Sequence, residues 1–323
     1  MIETGKHKFF ITQNEIADIF SVSPQAISIA AKQKNLEPFK DGNKSAFKPS
    51  DTRKLFESRG FHYPSRTIAL QMLKGGSTKT SSGFNLGVRL NQYGARVLFF
   101  DLDPQGNLTD SCGIDIIDQP VLYHVVNGEC PNIEDTILNV NDGLDLIPSD
   151  FENSTLDILI AKYGKDLRNF ISGYVEQVKS KYDFIIIDCN PSLSPLNVSI
   201  ALASDQILIP VNPDKFSKKG LKKTIGEIER ISKDYRVEID YNLLFTLYDG
   251  REALSHKFLM EYGTEYGDKL LPTVIKRSAD VKTAIDQKKS IFDFKKASAR
   301  EDFDLLAQEI LGIRNLNKKE IRA

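Results

Sequence analysis

From Arg66 onward the chain alternates short, nearly continuous apolar runs with helical stretches: RTIALQML, ARVLFFDLD, LDLIPS, YDFIIIDC, QILIPV, YNLLFTLYD and KLLPTVI. An apolar run without interleaved polar positions is a strand covered on both faces, and strands separated by helices pair in parallel. The pattern predicts an α/β fold with a doubly wound, mostly parallel sheet, in which ligands bind at the carboxyl ends of the strands. Residues 1–63 read differently, as short helical segments around polar turns that end at Gly60, Phe61, His62, Tyr63 and Pro64. Two domains are therefore expected, a small helical one over 1–63 and the α/β one over 64–323.

The first apolar run leads into KGGSTKTS and then a helix starting near Thr80. A strand, a glycine loop and a helix N-terminus together aim backbone N–H groups at an anion. The ordinary phosphate-loop spacing G-x-x-x-x-G-K-[ST] fails at both outer glycines, where Leu73 and Thr78 stand. Lys79 and Thr80 fill its last two places, and a second lysine, Lys74, precedes the glycine pair. Gly75 and Gly76 let the backbone approach phosphate oxygens closely. In this reading Lys74 to Ser81, with Ser77 and Thr78 between, cradle a nucleotide; Lys79 holds its terminal phosphates and Thr80 ligates Mg²⁺. Taken alone, the stretch also fits a Gly-Gly turn with two solvated lysines.

Two further runs bear on that choice. RVLFFDLDPQGNLTD delivers Asp101 and Asp103 along a buried strand that turns at Pro104 and Gly106, and KYDFIIIDCNPSL ends in Asp188, placed like a Walker B acid. One strand-end aspartate often only caps the next helix. Three of them, with the glycine loop in this order at the ends of parallel strands, make a nucleotide site.

Composition excludes other classes. The 41% hydrophobic and 27% charged residues are those of a soluble globular chain. No apolar run approaches the ~20 residues of a membrane span, and MIETGKHKFF lacks the apolar core of a secretion signal. The three cysteines, Cys112, Cys130 and Cys189, have no metal-like spacing, which argues against a disulfide framework or a zinc site. A cytoplasmic protein is expected. At a net charge of −1, nucleic-acid binding must come from local clusters.

Such clusters exist. In ITQNEIADIFSVSPQAISIAAKQKNL, Ile16, Ala17 and Ile19 fit the inner face of one helix, Ser21 to Ser23 a turn, and Pro24 the first position of a second helix with Ile27 inside. The five-residue spacing of Ala17, Val22 and Ile27 is that of a helix-turn-helix, with Gln25, Ser28, Lys32 and Gln33 as candidates to face DNA. FKDGNKSAFKPSDTRKLFESRG then predicts a hairpin with Asp41-Gly42-Asn43 at its tip and a helix capped by Ser50, the parts of a wing. A docking or dimerisation module without DNA contact is the alternative. Further basic residues gather at Lys215, Lys218, Lys219, Lys222 and Lys223, and again at Lys276, Arg277, Lys282, Lys288, Lys289, Lys295, Lys296 and Arg300. Either run could be only a solvated face.

The motifs resemble those of the ParA family of partition ATPases. KGGSTKTS matches that family's deviant Walker A form K-G-G-x-x-K-[ST], DLDPQGNLT its second acidic motif and FIIIDCNPSL its Walker B segment. IPVNPDKFSKKGL and FTLYDGREALS look like its later stretches, so the resemblance spans residues 66–310. It implies a homodimer closed face to face over ATP, with Lys74 reaching the partner's nucleotide as an arginine finger does. It implies that Asp103 orients the attacking water, that Asp101 and Asp188 sit near Mg²⁺ with Thr80 as direct ligand, and that Asn212 and Pro213 lie by the adenine. Many relatives carry glycine where Thr78 stands, so the backbone there is either ordinary or strained.

By resemblance, ATP licenses nonspecific binding to nucleoid DNA through Lys276, Arg277 and Lys282, a ParB-like centromere-binding partner stimulates slow hydrolysis to ADP, and the amino-terminal module binds the protein's own operator. Rival readings are a positioning ATPase with a protein or membrane cargo, an iron-sulfur carrier, and an ATP-sensing repressor. The short polar tail NLNKKEIRA, expected to fray, argues against a membrane helix, and the cysteines against a cluster carrier.

Overall fold

The computed structural model describes residues 9–76, 78–294 and 297–313. Ser77, Lys295, Lys296 and the tail NLNKKEIRA lie outside the described residues.

The apolar runs form strands of one eight-stranded sheet in the order Leu270–Lys276, Tyr241–Tyr248, Gln206–Val211, Arg66–Leu70, Phe184–Asp188, Val97–Asp101, Leu144–Ile147 and Leu138–Asn141. Neighbours are parallel except the last pair, where Leu138–Asn141 lies antiparallel to Leu144–Ile147. The apolar pattern does not announce that edge strand, because Val140 alone among its residues is buried. Its signal is the Asp142-Gly143 pair, with Gly143 at φ 73°, which turns the hairpin.

Side chains alternate between the two layers, as the strand period requires. Ile68, Leu70, Phe99 and Ile186 face one layer; Ala69, Leu98, Phe100 and Ile187 face the other. The first layer holds the helix Lys79–Gln92, the helix Arg300–Leu311 and the amino-terminal module, all in one apolar core. Opposite lie Leu167–Val178 and Pro195–Ala203 under one part of the sheet, and Lys215–Tyr235 and Ala253–Tyr266 under another. Lys79–Gln92 sits close to the sheet because Gly87 faces it: a Cβ there would stand 2.2 Å from the Phe99 ring.

The amino-terminal module follows its local signals. Helix Gln13–Ile19 starts in a capping box of Thr12 and Glu15, and Pro24–Gln33 starts with Ser23 as cap and Pro24 in its first turn. Ile16, Ala17, Ile19 and Ile27 are buried as expected, and Ser21 takes a left-handed φ of 51° in the turn. Strands Phe39–Asp41 and Lys44–Phe47 form the hairpin, with Gly42 at φ 60°, and Ile11–Thr12 adds a third strand. One expectation is corrected. The next helix is Pro49–Glu57 with Lys48 at its cap, so Ser50 does not cap it; the Ser50 N–H instead donates to Asp142 at 3.0 Å. Proline fits the first helical position because it has no N–H to leave unpaired.

The segment Gly60 to Pro64 packs against the α/β part of the chain. Tyr63 donates its hydroxyl to the Tyr93 carbonyl at 2.7 Å, and Arg53, stacked on the Tyr63 ring, donates to Asp183 at 2.5 Å. On the other side Glu15 accepts from Arg89 and Arg300, each at 3.1 Å. Arg89 is almost fully buried and also donates to Asp304 at 2.6 Å. Burial alone would raise the Glu15 pKa, but Arg89, the Thr12 hydrogen bonds and Arg300 outweigh it and lower it to about 2.

A carboxyl whose pKa is depressed by folding stabilises the fold above its unfolded pKa and loses that contribution as pH falls through the folded value. Glu15→Gln is therefore expected to cost ~2 kcal/mol at pH 7, after allowance for partial exposure. The gap to the parent should close as acid titration approaches pH 2; a gap that stays constant in denaturant melts from pH 7 to pH 2 would contradict this.

Candidate functional site

The carboxyl ends of Arg66–Leu70, Val97–Asp101 and Phe184–Asp188 converge on a cleft of about 400 Å³, lined by Gly75, Gly76, Thr78, Lys79, Thr80, Ser81, Asp103, Gln105, Asn107, Ser111, Pro191 and Ile285. Its floor is the phosphate loop. A Cβ on Gly75 or Gly76 would meet nothing within 4 Å, and Gly76 takes φ 70°, so the loop is an open cradle bent through a conformation that glycine adopts freely.

Thr78 carries the strain the sequence raised as a possibility. It takes φ 64° and ψ 18° immediately before the helix, at a cost of ~1–2 kcal/mol for a residue with a Cβ. Its hydroxyl donates to the Thr246 hydroxyl at 3.0 Å, which donates to Asn212 Oδ1 at 2.7 Å; Asn212 Nδ2 in turn donates to the Gly76 carbonyl at 3.3 Å. Ser81 is tucked under the loop, donating to the Thr78 carbonyl at 3.1 Å. Lys79 opens the helix and is 7% exposed.

Thr80 donates its hydroxyl to Asp188 Oδ2 at 2.5 Å. The other oxygen, Asp188 Oδ1, is buried without a hydrogen-bond partner, which is costly unless a cation or water meets it. Asp101 pairs in register with Asp188 on the neighbouring strand. Its carboxylate accepts from the Asp103 N–H at 3.1 Å and from the Thr109 N–H and hydroxyl, each at 2.8 Å. Burial, then the neighbouring Asp188 charge, pushes the Asp101 pKa up. Burial also raises that of Asp188, against the pull of Thr80 and Lys79. Asp103 stands on the next turn at the cleft wall and accepts from the Gln105 N–H at 3.0 Å.

These residues fit a nucleoside triphosphate with a divalent cation: a cradle of main chain, a buried lysine, a hydroxyl, and a carboxylate oxygen with an unmet lone pair. Among the described residues no group of three or more His, Cys, Asp and Glu could hold a metal ion alone. Mg²⁺ bound through few protein ligands and shared with phosphates suits that composition.

Lys74 is placed differently. It does not line the cleft. Its ammonium is held by both carboxylate oxygens of Asp214, at 2.9 and 2.8 Å. Asp214 caps the helix Lys215–Tyr235, accepting from the Ser217 N–H at 2.8 Å. Asn212 and Pro213 precede it on the same turn, both buried. Ser77 lies outside the described residues. The sequence reading missed Asp214 and Thr246, although both lie inside the stretches IPVNPDKFSKKGL and FTLYDGREALS; hydroxyls and helix caps are too common for either to stand out. It also missed Thr109 and Ile285.

Of the candidate DNA residues, Gln25, Lys32 and Gln33 are exposed on Pro24–Gln33, with the exposed Ile29 between them. Ser28 instead faces the first helix, accepting from Gln13 Nε2 at 2.8 Å. Lys276 pairs with Asp302 at 2.8 Å and Arg277 with Glu252 at 3.2 Å. Lys282 is exposed on Ala279–Asp286, the helix whose Ile285 borders the nucleotide cleft. No helix among the described residues is long and apolar enough to cross a membrane.

The two facing acids generate a stability prediction. A carboxyl whose pKa is raised by folding binds its proton more tightly in the folded state, so stability falls as pH rises from the ordinary carboxyl range through the raised one. Asp188→Asn keeps an acceptor for Thr80 and removes one charge of the pair. Without nucleotide it is expected to melt ~2–4 °C above the parent at pH 8 and level with it at pH 4. A lower melting temperature at pH 8 would show that the two carboxylates are not in conflict.

A family profile described as an AAA domain matches residues 65–241. The chain is 33% identical over 256 residues to the chromosome partitioning protein ParA of Caulobacter vibrioides (strain NA1000 / CB15N), covering 77% of this chain and 94% of that protein. It is 31% identical over 250 residues to the sporulation initiation inhibitor protein Soj of Bacillus subtilis (strain 168), covering 76% and 98%. Among solved structures it is similar to a putative plasmid partition protein from Borrelia burgdorferi B31 bound to AMPPNP, with 25% identity, a TM-score of 0.63 and coverage of 79% and 99%. The cobyrinic acid a,c-diamide synthase from Mycobacterium smegmatis with a bound ATP analog and magnesium matches with 25% identity, a TM-score of 0.63 and coverage of 76% and 95%. With the deviant loop, the paired strand-end acids and the parallel sheet in place, similarity of this extent settles the family: the chain belongs to the ParA family of P-loop ATPases.

Proposed function

We propose that this protein is a DNA-partition ATPase that closes face to face over ATP as a homodimer. The observation that carries the reading is the position of Lys74. Its ammonium lies outside its own cleft, held by the partly exposed Asp214 at the end of a helix, where it can serve a partner's nucleotide once it leaves that carboxylate. Exposed apolar side chains on neighbouring elements support the same face. Phe216, 77% exposed, stands on the first turn of the helix that Asp214 caps, and Leu193, 63% exposed, follows the Asp188 strand. Apolar groups beside a polar cleft are the mark of a surface that is covered in another state.

In this reading Lys79 and the loop N–H groups hold the phosphates of ATP, and Asn212 and Pro213 border the adenine. Asn212 has one amide hydrogen and one lone pair left for it. Thr80, with Asp188 and Asp101, would hold Mg²⁺, which when bound would neutralise phosphate charge. Asp103 orients the attacking water, and the partner's equivalent lysine stabilises charge on the transferring phosphoryl group.

The ATP-bound dimer binds nucleoid DNA without sequence preference through Lys282, with Lys276 and Arg277 exchanging their carboxylates for phosphates. A ParB-like centromere-binding partner stimulates turnover. The firm docking of the amino-terminal module on the helix that begins at Lys79 favours a second role, nucleotide-dependent binding of the protein's own operator through Gln25, Lys32 and Gln33.

Lys74→Ala is expected to keep ATP affinity within about threefold while partner-stimulated turnover falls at least ~100-fold, in line with loss of a charge-stabilising finger. Asp103→Ala should lose turnover with binding intact. Wild-type turnover in Lys74→Ala would refute the role of the lysine. Equal retention of wild-type protein on an arbitrary duplex with ATP and without it would refute the DNA role.

A further inference from the structure

We propose that Thr246 is a positioning residue for the phosphate loop: with Asn212 it holds Thr78 in the left-handed conformation that the loop needs just before its helix. The inference needs only the nucleotide site and is independent of the partition role. Thr246 is 1% exposed, on Tyr241–Tyr248, a strand separated from the loop's own strand by Gln206–Val211. Its hydroxyl can donate only one hydrogen. That hydrogen goes to Asn212 Oδ1 at 2.7 Å, or to the Val211 carbonyl at 3.3 Å, while its oxygen accepts from Thr78. Asn212 then reaches the Gly76 carbonyl. The relay therefore grips the loop at two points, Gly76 and Thr78, on either side of residue 77.

A second observation points the same way. Leu247, next to Thr246, has φ 56°, and the pairing of its strand with Leu270–Lys276 slips between Phe245 and Tyr248. Such irregularities re-aim a side chain, and non-glycine residues in left-handed backbone persist where surrounding structure over-determines them. Here two of them, Thr78 and Leu247, flank one hydrogen bond. A glycine at 78 would take this conformation unaided; a threonine brings a penalty together with the hydroxyl that can be anchored.

The test compares ATP and ADP binding by calorimetry with steady-state turnover. Thr246→Val, close in shape but without the hydroxyl, is expected to weaken both nucleotides about tenfold, as loss of a buried hydrogen-bonded anchor would. Turnover at saturating ATP should stay within about twofold, and Thr246→Ser should restore binding. Thr78→Val keeps the β-branch and loses the anchor, so it should match Thr246→Val, whereas Thr78→Gly, which takes the conformation without the anchor, should bind several-fold more tightly than Thr78→Val. In the Thr78→Gly background, adding Thr246→Val should cost about threefold or less, a remainder from the Asn212 bond. Wild-type affinity in Thr246→Val, or an equal loss with glycine and with threonine at 78, would overturn the proposal. If Thr246→Val fails to fold by circular dichroism, Thr78→Val against Thr78→Gly decides: equal affinities overturn it.

Discussion

The helix Lys79–Gln92 lies nearer the sheet than a side chain at Gly87 would permit, and the placement of both its ends rests on that contact. At one end the helix presents Lys79 and Thr80 to the cleft; at the other, the buried Arg89 meets Glu15 of the amino-terminal module and Asp304 of the helix Arg300–Leu311. A close-packed rod with the phosphate loop at its head and an ion-pair hub near its tail ties the amino-terminal module to the sheet layer. Breaking the hub would leave an arginine charge buried with too few partners, which is far more costly than never having built it. The module is for that reason a fixed part of the molecule.

The site itself is held under tension. Asp101 and Asp188 face each other from adjacent strands, both buried, both with raised pKa values, and Asp188 keeps one oxygen unmet. Thr78 is held in a conformation that its Cβ disfavours. A bound cation would relieve the conflict of the two acids and meet the open oxygen of Asp188; the strain at Thr78 stays, because the loop keeps that conformation. Cation binding would thus relax the acid pair, while in the unliganded chain Asp214 holds Lys74.

Much of this was legible in the sequence because parallel strands leave a coarse mark: RTIALQML, FIIIDC and QILIPV are nearly continuous apolar runs, so their nature as covered parallel strands, and the acid that ends FIIID, could be read directly. The proline start at Pro24 is a local rule and was read; the capping box at Thr12 and Glu15 and the proline start at Pro49 are equally local but went unread, and the second of them moves the expected cap from Ser50 to Lys48. What could not be read is whatever depends on contacts distant in sequence. Thr246 lies 168 positions from Thr78, and Arg89 finds Asp304 across 215; no periodicity records either. Leu138–Asn141 was hidden because an edge strand with one buried residue has no apolar run. The destination of Lys74 depended on Asp214, an aspartate that locally looks like any helix cap.

The central claim is that the cleft is complete only when a second copy supplies its lysine. The most direct test is the mass of wild-type protein by light scattering in Mg²⁺ with a nonhydrolysable ATP analogue and, separately, with ADP, at equal protein concentration. The account predicts a dimer with the analogue that is absent or much weaker with ADP. The same mass in both, with binding of each nucleotide confirmed, would contradict it.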